Sequence, residues 1–341
     1  MTFDLPEEEG VVFKPFCAST LADAEAVCLA AYGEDCASRI LRKILENPFA
    51  RECGAESFGD IAYVGGKPVA MQAAIIRRMY DGQKSFSALT GSTLGAVPGT
   101  SPLVVLSLLK HSIMPRNGSR FWFANTANAT AAKLDRLVGI TADGGEKWRG
   151  FRFAIVNPWR FAWYLFVTRV LKRRVEWKDG QVKRAPERDY AKIDEFWRRY
   201  LDGNSGVVTS RSAAEVKWVF EDGFARGRNV FIPEEKDGKM FGYAILRNRT
   251  EGRWEVADLI ALGNDPATVR LLLKKAKRFL RRNTNAIMLS IRGFPEDIQS
   301  VIADEFPHSR VNKKHLPFIY QPFDIPKGSW FFGPYDGDAD L

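Results

Sequence analysis

The segment from Phe86 to Ile140 constrains this chain most. A strand-like run to Val97 enters a Gly/Pro/Ser/Thr bend at Gly95 to Pro102, then the apolar stretch LVVLSLLKHSI, then RFWFAN at Arg120 to Asn125, then Ala129 to Leu137 closed by Gly139. The pattern reads as strand, bend, helix, strand, helix. Ser101 suits an N-cap and Pro102 the first helical position, so the helix start is expected to point unpaired amides out of the bend. Amides and the positive end of a helix dipole favour an anion, which makes the turn a pyrophosphate cradle. The residues expected to hold such a cofactor here are Leu94, Gly95, Ala96, Val97, Gly99, Thr100, Ser101, Leu103 and Val104.

The chain before the bend builds up to it. Val11 to Phe16 reads as a strand passing through a Ser19/Thr20 cap into a helix that runs through Ala31. A second helix, Ser38 to Glu46, stops before Asn47-Pro48, because proline disfavours helical geometry in its predecessor. Asp60 to Val64, Pro68 to Tyr80 and Lys84 to Val97 then form an antiparallel meander. Its Gly65-Gly66 and Asp81-Gly82 connections accept the positive φ of tight hairpin turns.

Everything after the bend reads as a looser second copy. Trp148 to Val156 is a further strand of the first half. Pro158 to Leu171 (PWRFAWYLFVTRVL) is an interdomain helix that leads into a basic linker ending at Arg188. The alternative for 158–174 is an interfacial helix with a Lys/Arg collar touching a membrane surface. Tyr190 to Leu201 and Glu215 to Phe224 read as helices. Asn229 to Ile232, Met240 to Asn248 and Trp254 to Leu262 repeat the meander. Pro266 to Arg282 is an amphipathic helix with Val269, Leu272, Leu273, Ala276 and Leu280 on one face, and Ala286 to Ile291 is the strand after it. The tail from Pro317 is rich in proline, glycine and aromatics.

At 341 residues the chain exceeds what one hydrophobic core usually serves, and two domains follow. The boundaries expected are 1–157, a linker at 158–188, 189–325, and an aromatic and acidic tail at 326–341. The longest apolar run, Phe161 to Val167, is far below the roughly 20 residues that span a bilayer. No N-terminal secretory pattern is visible, so a cytoplasmic protein is expected. Cys17, Cys28, Cys36 and Cys53 match no C-x-x-C pair and read as reduced thiols. The 3 histidines, His111, His308 and His315, are too scattered for a zinc site, and no metal is expected. The net charge of +9 is concentrated in Lys172 to Arg188 and Arg270 to Arg282; the second of these could face a phosphate backbone such as that of tRNA, although nucleic acid is not the expected partner.

Asn128, Ala131, Leu134, Gly139 and Ile140, in NATAAKLDRLVGI, stand at the spacing of the N-x-x-A-x-x-L-Y-x-x-x-G-F motif of the Gcn5-related N-acetyltransferases, and the element order before it resembles that family too. The resemblance covers roughly residues 10 to 325 and extends to tandem two-lobe acyltransferase-fold proteins. It implies an α/β (α+β) chain of two tandem acyl-coenzyme A N-acyltransferase-like domains, each a mixed, mainly antiparallel sheet flanked by helices. It also implies acetyl-CoA or another acyl-CoA as cofactor, with Asn128 and Ala131 joining the binding residues. In the family the strand before the bend offers an amide to the acyl thioester, and an R-x-x-G-x-G/A loop binds the pyrophosphate. Here Ser101 takes the arginine place, and Pro102 and Val104 take the glycine places. Asp135 stands where many members carry a tyrosine that protonates the leaving thiolate.

The activity implied is transfer of an acyl group to an amine of a small molecule, sugar or peptide in the groove between the lobes. The attacking amine must lose a proton, and Glu255, Asp258, Tyr80 and Thr90 are the candidate bases. Asp258 lies in an otherwise apolar strand, where a carboxylate needs a partner. Two other functions remain open: a catalytically divergent pair of lobes that binds a ligand, and an aminoacyl-tRNA-dependent transferase.

Overall fold

A computed structural model describes residues 10–33, 36–113, 119–124, 129–143, 150–173, 182, 187–250, 252–311, 318–320, 330–331 and 333–336. The first half begins with β1 (Val11–Pro15), α1 (Leu21–Tyr32), α2 (Cys36–Leu45) and α3 (Pro48–Glu52). Asn47 separates the last two, and its side chain accepts from the Phe49 amide, so the proline that stops one helix starts the next. The meander follows as β2 (Gly59–Val64), β3 (Lys67–Asp81) and β4 (Lys84–Ala96), then α4 (Pro102–Ser112), β5 (Ser119–Ala124), α5 (Ala129–Leu137) and β6 (Thr141–Asp143).

The second half comprises β7 (Gly150–Ile155), α6 (Pro158–Leu165) with a π-helical continuation at Phe166–Val170, α7 (Tyr190–Gly203), β8 (Val207–Thr209) and α8 (Ala213–Ala225). Its meander is β9 (Asn229–Lys236), β10 (Lys239–Thr250) and β11 (Arg253–Ala261). After it come α9 (Pro266–Asn283), β12 (Met288–Ile291), α10 (Gln299–Glu305), β13 (His308–Val311), β14 (Phe318–Tyr320) and β15 (Trp330–Phe331).

Two mixed sheets result. The first runs β1-β2-β3-β4-β5-β14-β6, with β8 on β3 and β15 on β8; the second runs β13-β7-β12-β11-β10-β9. Each contains the same unit: an antiparallel meander whose last strand is joined through a helix to a parallel neighbour, β4-α4-β5 in one and β11-α9-β12 in the other. Parallel neighbours need such a crossover, and the helix buries its apolar stripe on the sheet. Val269, Leu272, Leu273, Ala276 and Leu280 of α9 are buried, as the sequence pattern requires.

Strands also pass between the halves. β7, expected with the first half, pairs with β12 and β13 of the second sheet. There it covers an edge that β12 would otherwise leave open. In return Val207 and Val208 are fully buried between Met79–Asp81 and Trp330–Phe331. One apolar cluster includes Leu41 and Ile75 of the first half together with Phe220 and Trp254 of the second. Polar contacts cross it as well: Lys43 Nζ donates to the Val219 carbonyl at 2.8 Å, and Trp218 Nε1 to the Lys43 carbonyl at 2.8 Å.

Candidate functional site

β4 and β5 part company part-way along. Their parallel ladder ends at Thr90↔Phe123, whereas β3 stays paired with β4 as far as Ala70↔Ala96. From Gly91 to Ala96, β4 therefore has a strand on only one side among the described residues, and no strand among them pairs with its other edge. Gly91 is needed where the strands separate: a Cβ there would stand 2.1 Å from Trp122 Cζ2. Thr90 Oγ1 and Trp122 Nε1 are buried there on opposite faces of the sheet, each without a hydrogen-bond partner among the described residues. Buried polar atoms are rarely left so, and a ligand group is one way to satisfy them.

The bend after β4 is held at both ends. The Val97 amide donates to the Val69 carbonyl at 2.8 Å, and Thr100 Oγ1 donates to the Val97 carbonyl at 2.7 Å. Gly99 takes φ +89° with open space around it. Ser101 caps α4, accepting from the Leu103 amide at 3.3 Å, with Pro102 at the first turn. This departs from the open helix start the sequence implies, because proline has no N–H and the serine hydroxyl takes the next one. No turn or cap bond among the described residues uses the amides of Ser101 and Val104. The Val104 side chain is buried against Ala62, Ala70 and Leu108, so it fastens the helix to the sheet, while Leu103 is exposed. Tyr32, at the end of α1, donates its hydroxyl to the Leu94 carbonyl. Its ring also lies 3.2 Å from where a Cβ on Gly95 would be.

Asp135 lies on α5, the helix after β5, and is 3% exposed. Burial pushes its carboxyl up to about 7. A carboxyl tuned there holds a proton in a large share of molecules at neutral pH, which an ordinary aspartate does not. Ala131 is half-buried one turn earlier. Asn128 lies outside the described residues.

The other candidate bases have different settings, and no hydrogen bond joins any two of Asp135, Tyr80, Glu255 and Asp258 among the described residues. Tyr80 is on β3, its ring edge-on to Trp197 with centroids 5.6 Å apart. Asp258 is fully buried on β11, and its partner is Arg211, whose Nε stands 3.2 Å from both carboxylate oxygens. Arg211 also reaches Asp336 at 3.3 Å, and the Tyr243 hydroxyl donates to Asp258 at 3.2 Å. Burial pushes the Asp258 carboxyl up against the pull of Arg211, and Asp336 adds to the push. Arg211 and Asp336 carry no local sequence signal, since they come together only through the fold. Glu255, three positions earlier on β11, faces Arg247 at 2.9 Å, Arg249 at 2.5 Å and Arg292 at 3.2 Å. Burial would raise its carboxyl, but those three guanidinium groups outweigh it and hold it at about 2.

The second sheet repeats the parting of strands but closes it. The β11–β12 ladder ends at Glu255↔Ser290, and beyond it the C-terminal turn Pro334–Asp336 packs against β11. At the start of α9 the Asp265 carboxylate accepts from the Thr268 amide at 2.8 Å and the Ala267 amide at 3.3 Å. A negative charge of the chain itself thus sits where an anion would bind. On the basic face of α9, Arg270 pairs with Asp304, Lys277 with Glu305 and Lys275 with Glu234, which lowers its pull on a polyanion. No group of His, Cys, Asp or Glu suited to a metal ion is present among the described residues. None of the described helices is long and apolar enough to cross a membrane.

No protein-family model and no curated protein matches the sequence. Solved structures do match. A GCN5-related N-acetyltransferase from Kribbella flavida superimposes with a TM-score of 0.59 at 14% identity, over 91% of this chain and 70% of that one. A GCN5-related N-acetyltransferase from Anabaena variabilis gives 0.55 at 12%, over 91% and 72%. Saccharomyces cerevisiae N-myristoyltransferase, in a structure with bound myristoyl-CoA, gives 0.51 at 12%, over 94% and 83%. All three are acyltransferases, and at these identities the likeness is one of fold. The parted parallel strands, the crossover helix and these superpositions together show that the chain has the fold of the GCN5-related N-acetyltransferases.

Proposed function

We propose that this protein is an acyl-coenzyme A-dependent N-acyltransferase whose acyl donor lies along the open edge of β4 in the first half. The observation that carries this reading is the ladder ending at Thr90↔Phe123 while β4 continues to Ala96. The residues present fit such a donor: the unpartnered buried indole N–H of Trp122 beside Gly91, an open glycine at Gly99, and the start of α4 after the bend. The second half is the weaker host, because the Asp265 carboxylate fills the corresponding helix start.

When bound, an acyl-coenzyme A supplies an activated thioester carbonyl. Amides on the open edge between Gly91 and Ala96 are placed to hold that carbonyl oxygen as negative charge builds on it, the setting in which a preorganised backbone donor is most effective. The amides of Ser101 and Val104 are placed to hold a phosphate. Asp135, with its carboxyl near neutrality, holds a proton at the helix after β5 and is the residue proposed to protonate the leaving thiolate. The acceptor is an amine of a small molecule, sugar or peptide.

Thermal unfolding in the presence of an acyl-coenzyme A series tests this reading. A rise in Tm at micromolar concentration supports it; no shift with any chain length from acetyl to myristoyl removes it.

A further inference from the structure

A cavity of about 830 Å³ lies between one face of the second sheet and α6 with its π-helical continuation, within the range of about 300–1,000 Å³ typical of small-molecule sites. It stands apart from the open edge of β4, so what fills it does not depend on acyl transfer there. Its apolar wall is made by Phe151 and Phe153 of β7, Phe161 and Leu165 of α6, and Met288 of β12. Its polar wall is strongly positive: Arg169, Arg249, Arg253, Arg292 and Arg310 are set against the single carboxylate of Glu255. Glu255 is already shared by Arg249 and Arg292, and Arg169 and Arg310 make no ion pair among the described residues. Arg253 donates to the Tyr164 hydroxyl at 2.7 Å, tying the helix to the sheet across the cavity. A surplus of arginine beside aromatic and aliphatic side chains suits a ligand with an anionic head and an apolar body.

The same helix is also apolar on its outer side. Trp159 is 86% exposed, Trp163 57%, Phe166 44% and Val170 65%. Their spacing puts them on one stripe, and the Trp163 and Phe166 rings touch, with centroids 5.9 Å apart. The turn at Phe166–Val170 is π-helical, so Thr168 and Arg169 line the cavity while Phe166 and Val170 stay outside. Lys172 and Arg173 follow, both exposed. A tryptophan-rich stripe ending in basic residues matches the chemistry of an anionic lipid surface, apolar below and negatively charged at the head groups.

We propose that α6 and its continuation dock on an anionic membrane surface and that the cavity behind them binds an anionic phospholipid, its phosphate on the arginines and its chain against the aromatic wall. The full chain is sedimented with vesicles of phosphatidylcholine and with vesicles containing phosphatidylglycerol, then re-isolated and its bound lipid measured by mass spectrometry. The expected result is binding to the phosphatidylglycerol vesicles that weakens with salt, with phosphatidylglycerol retained after re-isolation. Trp159→Ser with Trp163→Ser should weaken vesicle binding at least about tenfold. Arg253→Gln with Arg310→Gln should reduce the retained lipid about tenfold while vesicle binding persists. All four positions are exposed, and circular dichroism confirms the fold of each variant. Equal binding to both vesicle types, binding to neither, or re-isolation without lipid overturns the proposal. So does glycerol phosphate in solution binding as tightly as the vesicles, which would place the ligand's source in solution.

Discussion

Gly91 and Trp122 meet where β4 and β5 separate: a Cβ on Gly91 would lie 2.1 Å from Trp122 Cζ2, and the indole is 2% exposed. The large ring can stand at the head of the strand gap because its neighbour has no side chain.

Gly91→Ala should therefore force the indole or the strand to shift, at a cost of about 1–3 kcal/mol. Urea unfolding followed by tryptophan fluorescence checks this. Stability equal to that of the parent protein would mean that Trp122 has room to move.

Asp135 predicts a pH dependence with a definite sign. Burial raises its folded-state carboxyl to about 7, above its unfolded value. The folded state therefore binds more protons between those two values, and the parent protein loses stability as pH rises through that window. The loss amounts to about 4 kcal/mol once both states are ionised. Asp135→Asn removes it, so the variant should match the parent near pH 4 and have the higher Tm at pH 8. If Asp135 also donates the proton, the variant's kcat falls and lacks the decline above neutrality expected of the parent.

Arg211 stands between two carboxylates in a fully buried position. Arg211→Met leaves Asp258 and Asp336 without a counter-charge and should cost about 3–5 kcal/mol. Adding Asp258→Asn and Asp336→Asn should recover much of that loss. Chemical unfolding of the single and triple variants measures it, and a single variant as stable as the triple would contradict the network.

Tyr32→Phe keeps the ring beside Gly95 and removes only the hydroxyl that engages the Leu94 carbonyl. Stability should change by about 1 kcal/mol or less. Affinity for an acyl-coenzyme A, measured by titration calorimetry, should fall several-fold, because the open edge of β4 loses a tether.

Much of the fold is legible in local chemistry. The turns at Gly65-Gly66 and Asp81-Gly82 join the first meander, and the Ser101/Pro102 start of α4 stands where the residues place it. What escapes a local reading is non-local. Val207–Thr209 is too short to signal a strand and exists because Met79–Asp81 and Trp330–Phe331 flank it. β7 follows the first half in sequence yet serves the second sheet, since β12 offers it an edge. In the candidate site, the bend is visible from its glycines and prolines. The state of Asp135 is not, because only burial raises its carboxyl, and burial is a property of the folded chain. The partner that Asp258 requires could be anticipated, but its identity as Arg211 could not.

Hydrogen exchange with mass spectrometry, with and without an acyl-coenzyme A, shows which strand edge the donor occupies. Slowed exchange is expected in peptides covering Gly91–Ala96 and Gly99–Val104, with little change along β11 and the start of α9. Protection confined to the second sheet, or none at saturating ligand, would contradict the placement of the acyl donor on the open edge of β4.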